Sequence, residues 1–164
     1  MTRRAGTYGT ADGSMVVWTV ADGRRGRRWR EVRSRDGVVD RALLLETDPD
    51  GRVTRLEISA AAGLLTLHPE ADDSALHGNV ATPGGIRHHA FAWSADHALV
   101  VDGSAASMAA LIRRHPTGPI RAVLIGDDLV PREETLDPAS VDVSLDADGV
   151  AVRDGPSWPL ETDS

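Results

Sequence analysis

Asp-Gly pairs punctuate this chain at Asp22-Gly23, Asp36-Gly37, Asp50-Gly51, Asp102-Gly103, Asp148-Gly149 and Asp154-Gly155, each beside a short run of alternating apolar residues. Such pairs supply the positive φ angles that tight antiparallel hairpins need. Alternation sends successive side chains to opposite faces of a strand, so each run has one face to bury and one to leave wet. The clearest case spans 52–58, where Thr54, Leu56 and Ile58 share one face and Val53, Arg55 and Glu57 the other. Joined to the apolar run 38–47 across Asp48-Pro49-Asp50-Gly51, it predicts a hairpin. A second hairpin is predicted for 141–145 and 150–153 across Asp146-Ala147-Asp148-Gly149.

Further strands are predicted at 14–20, 29–35 (exposed, weakly alternating), 64–68, 75–80, 85–93, 98–102, 120–125 and 132–136. Along 85–93, Arg87, His89, Phe91 and Trp93 fall on one side and Ile86, His88, Ala90 and Ala92 on the other. One helix is predicted over 104–115, where small residues lead into Met108, Leu111 and Ile112 and Pro116 stops it. The fold class is mostly β: a large antiparallel sheet forming a half-barrel or barrel, with a sandwich as the alternative, and one short helix. Residues 1–13, polar and rich in Gly and Thr, are expected as a flexible N-terminal arm, and 14–164 as a single β-rich domain.

Composition narrows the chemistry. No cysteine is present, so disulfides, thiolate metal sites and cysteine nucleophiles are excluded. Arg3 and Arg4 are followed by Ala5-Gly6-Thr7-Tyr8-Gly9 rather than an apolar leader, and no apolar run approaches the roughly 20 residues of a membrane helix. The expected location is cytoplasmic, with no membrane span. No Gly-rich phosphate loop precedes a helix, and the Asp-rich turns lack the later bidentate Glu of a calcium loop. No cofactor is expected.

Charge is unevenly placed: residues 1–41 hold ten arginines against five acids, and the remainder eight against twenty, for a net charge of −7. The run Arg24-Arg25-Gly26-Arg27-Arg28-Trp29-Arg30 has the ingredients for gripping phosphates and stacking a base. The acidic whole and the absence of any nucleic-acid motif favour a solvated hairpin loop instead, and nucleic acid is not an expected partner.

His88, His89 and His97 stand close in sequence with Ser94 and Asp96. Convergence of His88, His97 and Asp96 would make a metal-assisted or histidine-dependent hydrolase. His88 and His89 face opposite sides of any regular strand, so they cannot share an ion. Ser94, Asp96 and His97 lie within one turn, with no strained nucleophile elbow around the serine. A surface turn beside one buried histidine is the simpler reading, and no catalytic or metal-ligating residue is assigned.

Several segments resemble a bacterial family of glycolipid-binding proteins. The ending Ser144-Leu145-Asp146-Ala147-Asp148-Gly149-Val150-Ala151-Val152 followed by Trp158 resembles that family's closing strand-turn-strand with its tryptophan. Leu111-Ile112-Arg113-Arg114 resembles a basic block of the family, and Trp18 stands where its first strand carries a tryptophan. The segment from Gly85 to Ser94 takes the place of a further family segment. The resemblance implies a half-barrel similar to bacterial lipoprotein carriers, binding an amphiphile in its concavity without catalysis. The expected function is therefore a non-enzymatic binding protein for a lipid-like or glycolipid ligand held between sheet and helix. Expected ligand-binding residues are Trp18 and Trp93 on its apolar side and His88, Arg113 and Arg114 on its polar head. A homodimeric interaction module that pairs through an exposed strand edge is a third reading.

Overall fold

A computed structural model describes residues 3–140, 144–145 and 151–152. Eight strands come first: β1 (Arg3–Gly9), β2 (Met15–Gly23), β3 (Gly26–Arg35), β4 (Val38–Thr47), β5 (Val53–Ala60), β6 (Gly63–Pro69), β7 (Ala75–Thr82) and β8 (Gly85–Ala92). Each pairs antiparallel with its neighbour in sequence, giving one sheet with β1 and β8 at its ends. Then follow β9 (Ala98–Val101), α1 (Ala105–Arg114), β10 (Ile120–Ile125) and β11 (Pro131–Leu136). Among the described residues the fold is mostly β, with one large antiparallel sheet and a single α-helix, in line with the hairpin signals. A short pair, β12 (Ser144–Leu145) with β13 (Ala151–Val152), lies where the second hairpin is predicted. The turn between these two strands, the Asp154-Gly155 pair and Trp158 lie outside the described residues.

Two features differ from the sequence reading. The supposed arm over 1–13 contains β1, paired with β2 from Arg3↔Ala21 to Gly9↔Met15. What holds it is Trp18, whose indole covers Gly6 so closely that a Cβ there would sit 2.7 Å from the ring. Tyr8 is also buried. A glycine that accepts an aromatic ring looks like loop composition when read alone. Secondly, β9 and β10 pair parallel while β10 and β11 pair antiparallel. A helix between two strands of one sheet allows the parallel crossover that a tight turn does not.

The inner face of the large sheet carries Val16, Trp18, Trp29, Leu43, Leu45, Leu56, Ile58, Leu65, Leu67, Leu76 and Val80, and the same core takes in Leu99 and Val101 of β9 and Ala106, Ala109 and Ala110 of α1. Leu45, Leu56, Ile58, Leu65, Leu67 and Leu76 are fully buried. Each such side chain stabilises the fold by roughly 1.5–3 kcal/mol. Alanines on the covering face of α1 let it lie close to the sheet. Ser104 caps the helix, accepting from Ser107 N at 3.1 Å, and the Ser107 hydroxyl ties it to β9 by accepting from Val101 N at 3.0 Å. Among the described residues no helix is long and apolar enough to cross a membrane.

Hairpin tips follow two patterns. Between β3 and β4, Asp36 and Gly37 have φ of 51° and 78°, the paired positive angles expected of a two-residue turn. Between β2 and β3 the tip is Arg24-Arg25, with Gly23 opposite Gly26 and the positive φ (117°) on Gly26. Asp22-Gly23 is thus the end of a strand, not the turn itself. A Cβ on Gly26 would lie 1.9 Å from the Thr47 carbonyl oxygen. Gly26→Ala is expected to cost about 2 kcal/mol or more, read as a lower midpoint in chemical denaturation.

Candidate functional site

A cleft of about 900 Å3 opens at the β2–β3 tip, bounded also by the start of β1, the end of β4 and Thr54. Seven arginines line it (Arg3, Arg4, Arg24, Arg25, Arg27, Arg28 and Arg30) against two carboxylates, Asp22 and Glu46. The lining therefore carries a balance of +5 in a chain whose net charge is −7. Strand register explains the gathering. Arg28 and Arg30 alternate onto the outer face of β3, Arg3 stands opposite Ala21 on β2, and the tip projects Arg24 and Arg25.

The arginines divide by role. Arg27 is 8% exposed; its Nε and Nη2 donate to the two Asp22 carboxylate oxygens at 2.5 and 2.8 Å, and its guanidinium lies 5.2 Å from the Trp29 ring centre. The fork-on-carboxylate geometry holds the Asp22 carboxyl below its usual range. This arginine forms part of the floor. Arg28 donates through Nε to Glu46 at 2.6 Å. Arg3, Arg24, Arg25 and Arg30 are exposed and make no ion pair with a described residue. Guanidinium groups held near one another without carboxylate partners favour an incoming anion, which they can meet with charge-assisted, bidentate hydrogen bonds.

Among the described residues no aromatic side chain lines the cleft, and Trp29 is 2% exposed beneath Arg27. Half-buried Ala5 and Ala21 form an apolar part of the wall. The run 24–30, expected as a solvated hairpin loop, forms the exposed β2–β3 tip and the start of β3, and it borders this cleft. What its local sequence could not show is that β1 and β4 bring Arg3, Arg4 and Glu46 beside it.

The five residues expected to bind a ligand are dispersed. Trp18 and Trp93 are buried in the core, with Trp93 edge-on to His97 at 5.4 Å between ring centres. His88 lies on the outer face of β8, hydrogen-bonded to Asn79 across the strand pair. Its neighbour His89 faces the other side and stacks with Phe91 at 6.1 Å; burial pushes its pKa down. Arg113 and Arg114 end α1, where cations complement the helix dipole, and Arg114 Nη1 donates to the Asp50 carbonyl at 3.4 Å. Ser94 caps a turn: its carbonyl accepts from His97 N at 3.0 Å and its hydroxyl from Asp96 N at 3.4 Å. Among the described residues no three His, Asp or Glu side chains gather in a way that could hold a metal ion.

A second polar cluster, which the sequence reading missed, lies under the N-terminus of α1. Glu31, 4% exposed on the inner face, accepts from Ala106 N at 2.7 Å and from the Tyr8 hydroxyl at 3.4 Å, while Ala105 N donates to the same hydroxyl at 3.2 Å. Burial drives the Glu31 pKa up, against the opposing pull of Ser104, the Ala106 amide, Arg41 and Tyr8. Arg41, 3% exposed, donates to the Asp102 carbonyl at 2.7 Å and to Asp127 at 3.1 Å; Arg33 donates to Asp127 at 2.7 Å. These contacts bind α1 and the β10–β11 loop to β3 and β4. They form a joint rather than an open site.

Comparison of the chain with protein-family models, with curated proteins and with solved structures found no match.

Proposed function

We propose that the chain is a non-enzymatic binding protein for an anionic amphiphile whose charged head is held in the arginine cleft. The observation that carries the reading is the set of four arginines, Arg3, Arg24, Arg25 and Arg30, without ion-pair partners among the described residues around one cleft of about 900 Å3. Ala5 and Ala21 give an apolar chain a place to lie beside the head group. The space between the large sheet and α1 is less suited to a ligand, because Leu45, Leu56, Ile58, Leu65 and Leu67 fill it and are fully buried. Among the described residues no aromatic lines the cleft to stack a base, which favours a phosphate or sulfate ester over a nucleic acid.

Calorimetric titration with decyl phosphate below its micelle concentration tests this reading. Decyl phosphate is expected to bind about tenfold or more tightly than decyl phosphocholine, whose added cation meets the arginines unfavourably. Its affinity is expected to fall as salt rises, since exposed charges are screened. Equal affinity for the two amphiphiles, or none for decyl phosphate, overturns the reading.

A further inference from the structure

The outer face of the large sheet carries an apolar patch that no described residue covers. Met15, Val17 and Val32 are 48, 47 and 38% exposed, and Val39 is 60% exposed. Val17 and Val32 are direct partners across β2 and β3, while Ser34 stands between Met15 on one side and Val39 on the other. Three adjacent strands thus present four apolar side chains on one surface. Two residues from Val32 along β3, about 7 Å away, Arg30 projects from the same face, followed by Arg28. The nearby carboxylates Asp12 and Glu46 are already paired, with Arg35 and Arg28. Exposed apolar side chains bordered by arginines on one face are the pattern of an element that lies in a membrane interface. Apolar groups enter among the acyl chains there, and guanidinium groups meet the phosphates above them.

We propose that the outer face of β2–β4 docks the protein on an anionic lipid surface, with Met15, Val17 and Val32 entering the interface and Arg30 meeting the lipid phosphates. The charge half of this inference rests on the reading of the arginine cleft as an anion site; the apolar half does not. A lipid surface accepts a patch of this kind without a shaped counterpart, and its negative charge complements exposed Arg30, which makes no ion pair with a described residue.

The test is sedimentation of the full chain with large vesicles, either pure phosphatidylcholine or an equimolar mixture with phosphatidylglycerol. Wild type is expected to bind the mixed vesicles about tenfold or more tightly than the neutral ones. The triple variant Met15→Ser, Val17→Thr, Val32→Thr is expected to lose about tenfold in binding to mixed vesicles. Its two threonines are β-branched and suit the strands, the serine is small and polar, and circular dichroism monitors folding. Its affinity for dispersed decyl phosphate should match wild type, because the altered residues lie outside the cleft lining. Equal binding to both vesicles, or triple-variant binding equal to wild type, overturns the docking proposal while leaving the cleft reading intact. Docking with the expected charge and patch dependence, but without decyl phosphate binding, supports the proposal and sinks the cleft reading alone.

Discussion

The double variant Arg25→Glu, Arg30→Glu is expected to weaken decyl phosphate binding by about a hundredfold or more while leaving the fold intact. A hydrogen bond to a charged group contributes roughly 1.5–3 kcal/mol, and each reversal also adds a repelling carboxylate to the site. Each reversal changes the lining charge by two, so the balance falls from +5 to +1. Neither arginine is buried, and neither makes an ion pair with a described residue. The unfolding midpoint should therefore shift by no more than about 0.5 kcal/mol in free energy. Arg114→Ala provides the contrast, because that side chain at the end of α1 reaches the Asp50 carbonyl and does not line the cleft. Its affinity should equal wild type. Unchanged binding in the double variant would place the ligand elsewhere.

Replacing Glu31 by alanine is expected to destabilise the protein by about 3–5 kcal/mol, the cost of breaking a buried charged network by removing one member. The Ala106 amide and the Tyr8 hydroxyl would lose their shared acceptor, and buried Arg41 would lose a nearby countercharge. Glu31→Gln is gentler, because an amide oxygen still accepts from Ala106. Its value is in the pH dependence. Burial raises the folded-state pKa of Glu31 above its unfolded value near 4.3. Between those two pKa values the folded state holds more proton than the unfolded state, so the stability contributed by Glu31 falls as pH rises. The slope is at most about 1.4 kcal/mol per pH unit, and it vanishes once pH exceeds the folded pKa. Carboxylates held low, such as Asp22 by Arg27, act oppositely: their contribution is present above the unfolded pKa and lost as pH falls. Subtracting the Glu31→Gln curve from the wild-type curve isolates Glu31. Chemical denaturation from pH 4 upward should give a difference that declines and then levels. A difference that rises with pH would show that Glu31 is held charged.

Hairpin order was legible because turn chemistry and alternation are local. The 52–58 pattern places Leu56 and Ile58 inward, and both are fully buried. The predicted helix is found, with Ser104 and His115 as its caps. Strand β3 reads poorly because charge occupies its inward positions: Arg27, Glu31 and Arg33 point to the same side as Trp29. Those charges are satisfied by Asp22, by the helix N-terminus and by Asp127, none of which a local pattern can pair with them. Register hides the cleft in the same way. The basic run is plain in the sequence, but its convergence with Arg3 and Arg4 depends on β1 lying against β2, and the Gly- and Thr-rich composition of 1–13 resembles a loose arm. The histidines, like the hairpins, are legible for a local reason: adjacent His88 and His89 fall on opposite faces of β8, as strand alternation requires.

The most direct test of where the ligand binds is a titration of 15N-labelled protein with decyl phosphate, following arginine Nε–Hε and tryptophan indole correlations by NMR. The Arg24, Arg25 and Arg30 correlations are expected to shift and saturate together while those of Arg114 and the Trp18 and Trp93 indoles stay in place. Shifts confined to Trp18, Trp93 and the end of α1 would contradict binding in the cleft and put the amphiphile between sheet and helix.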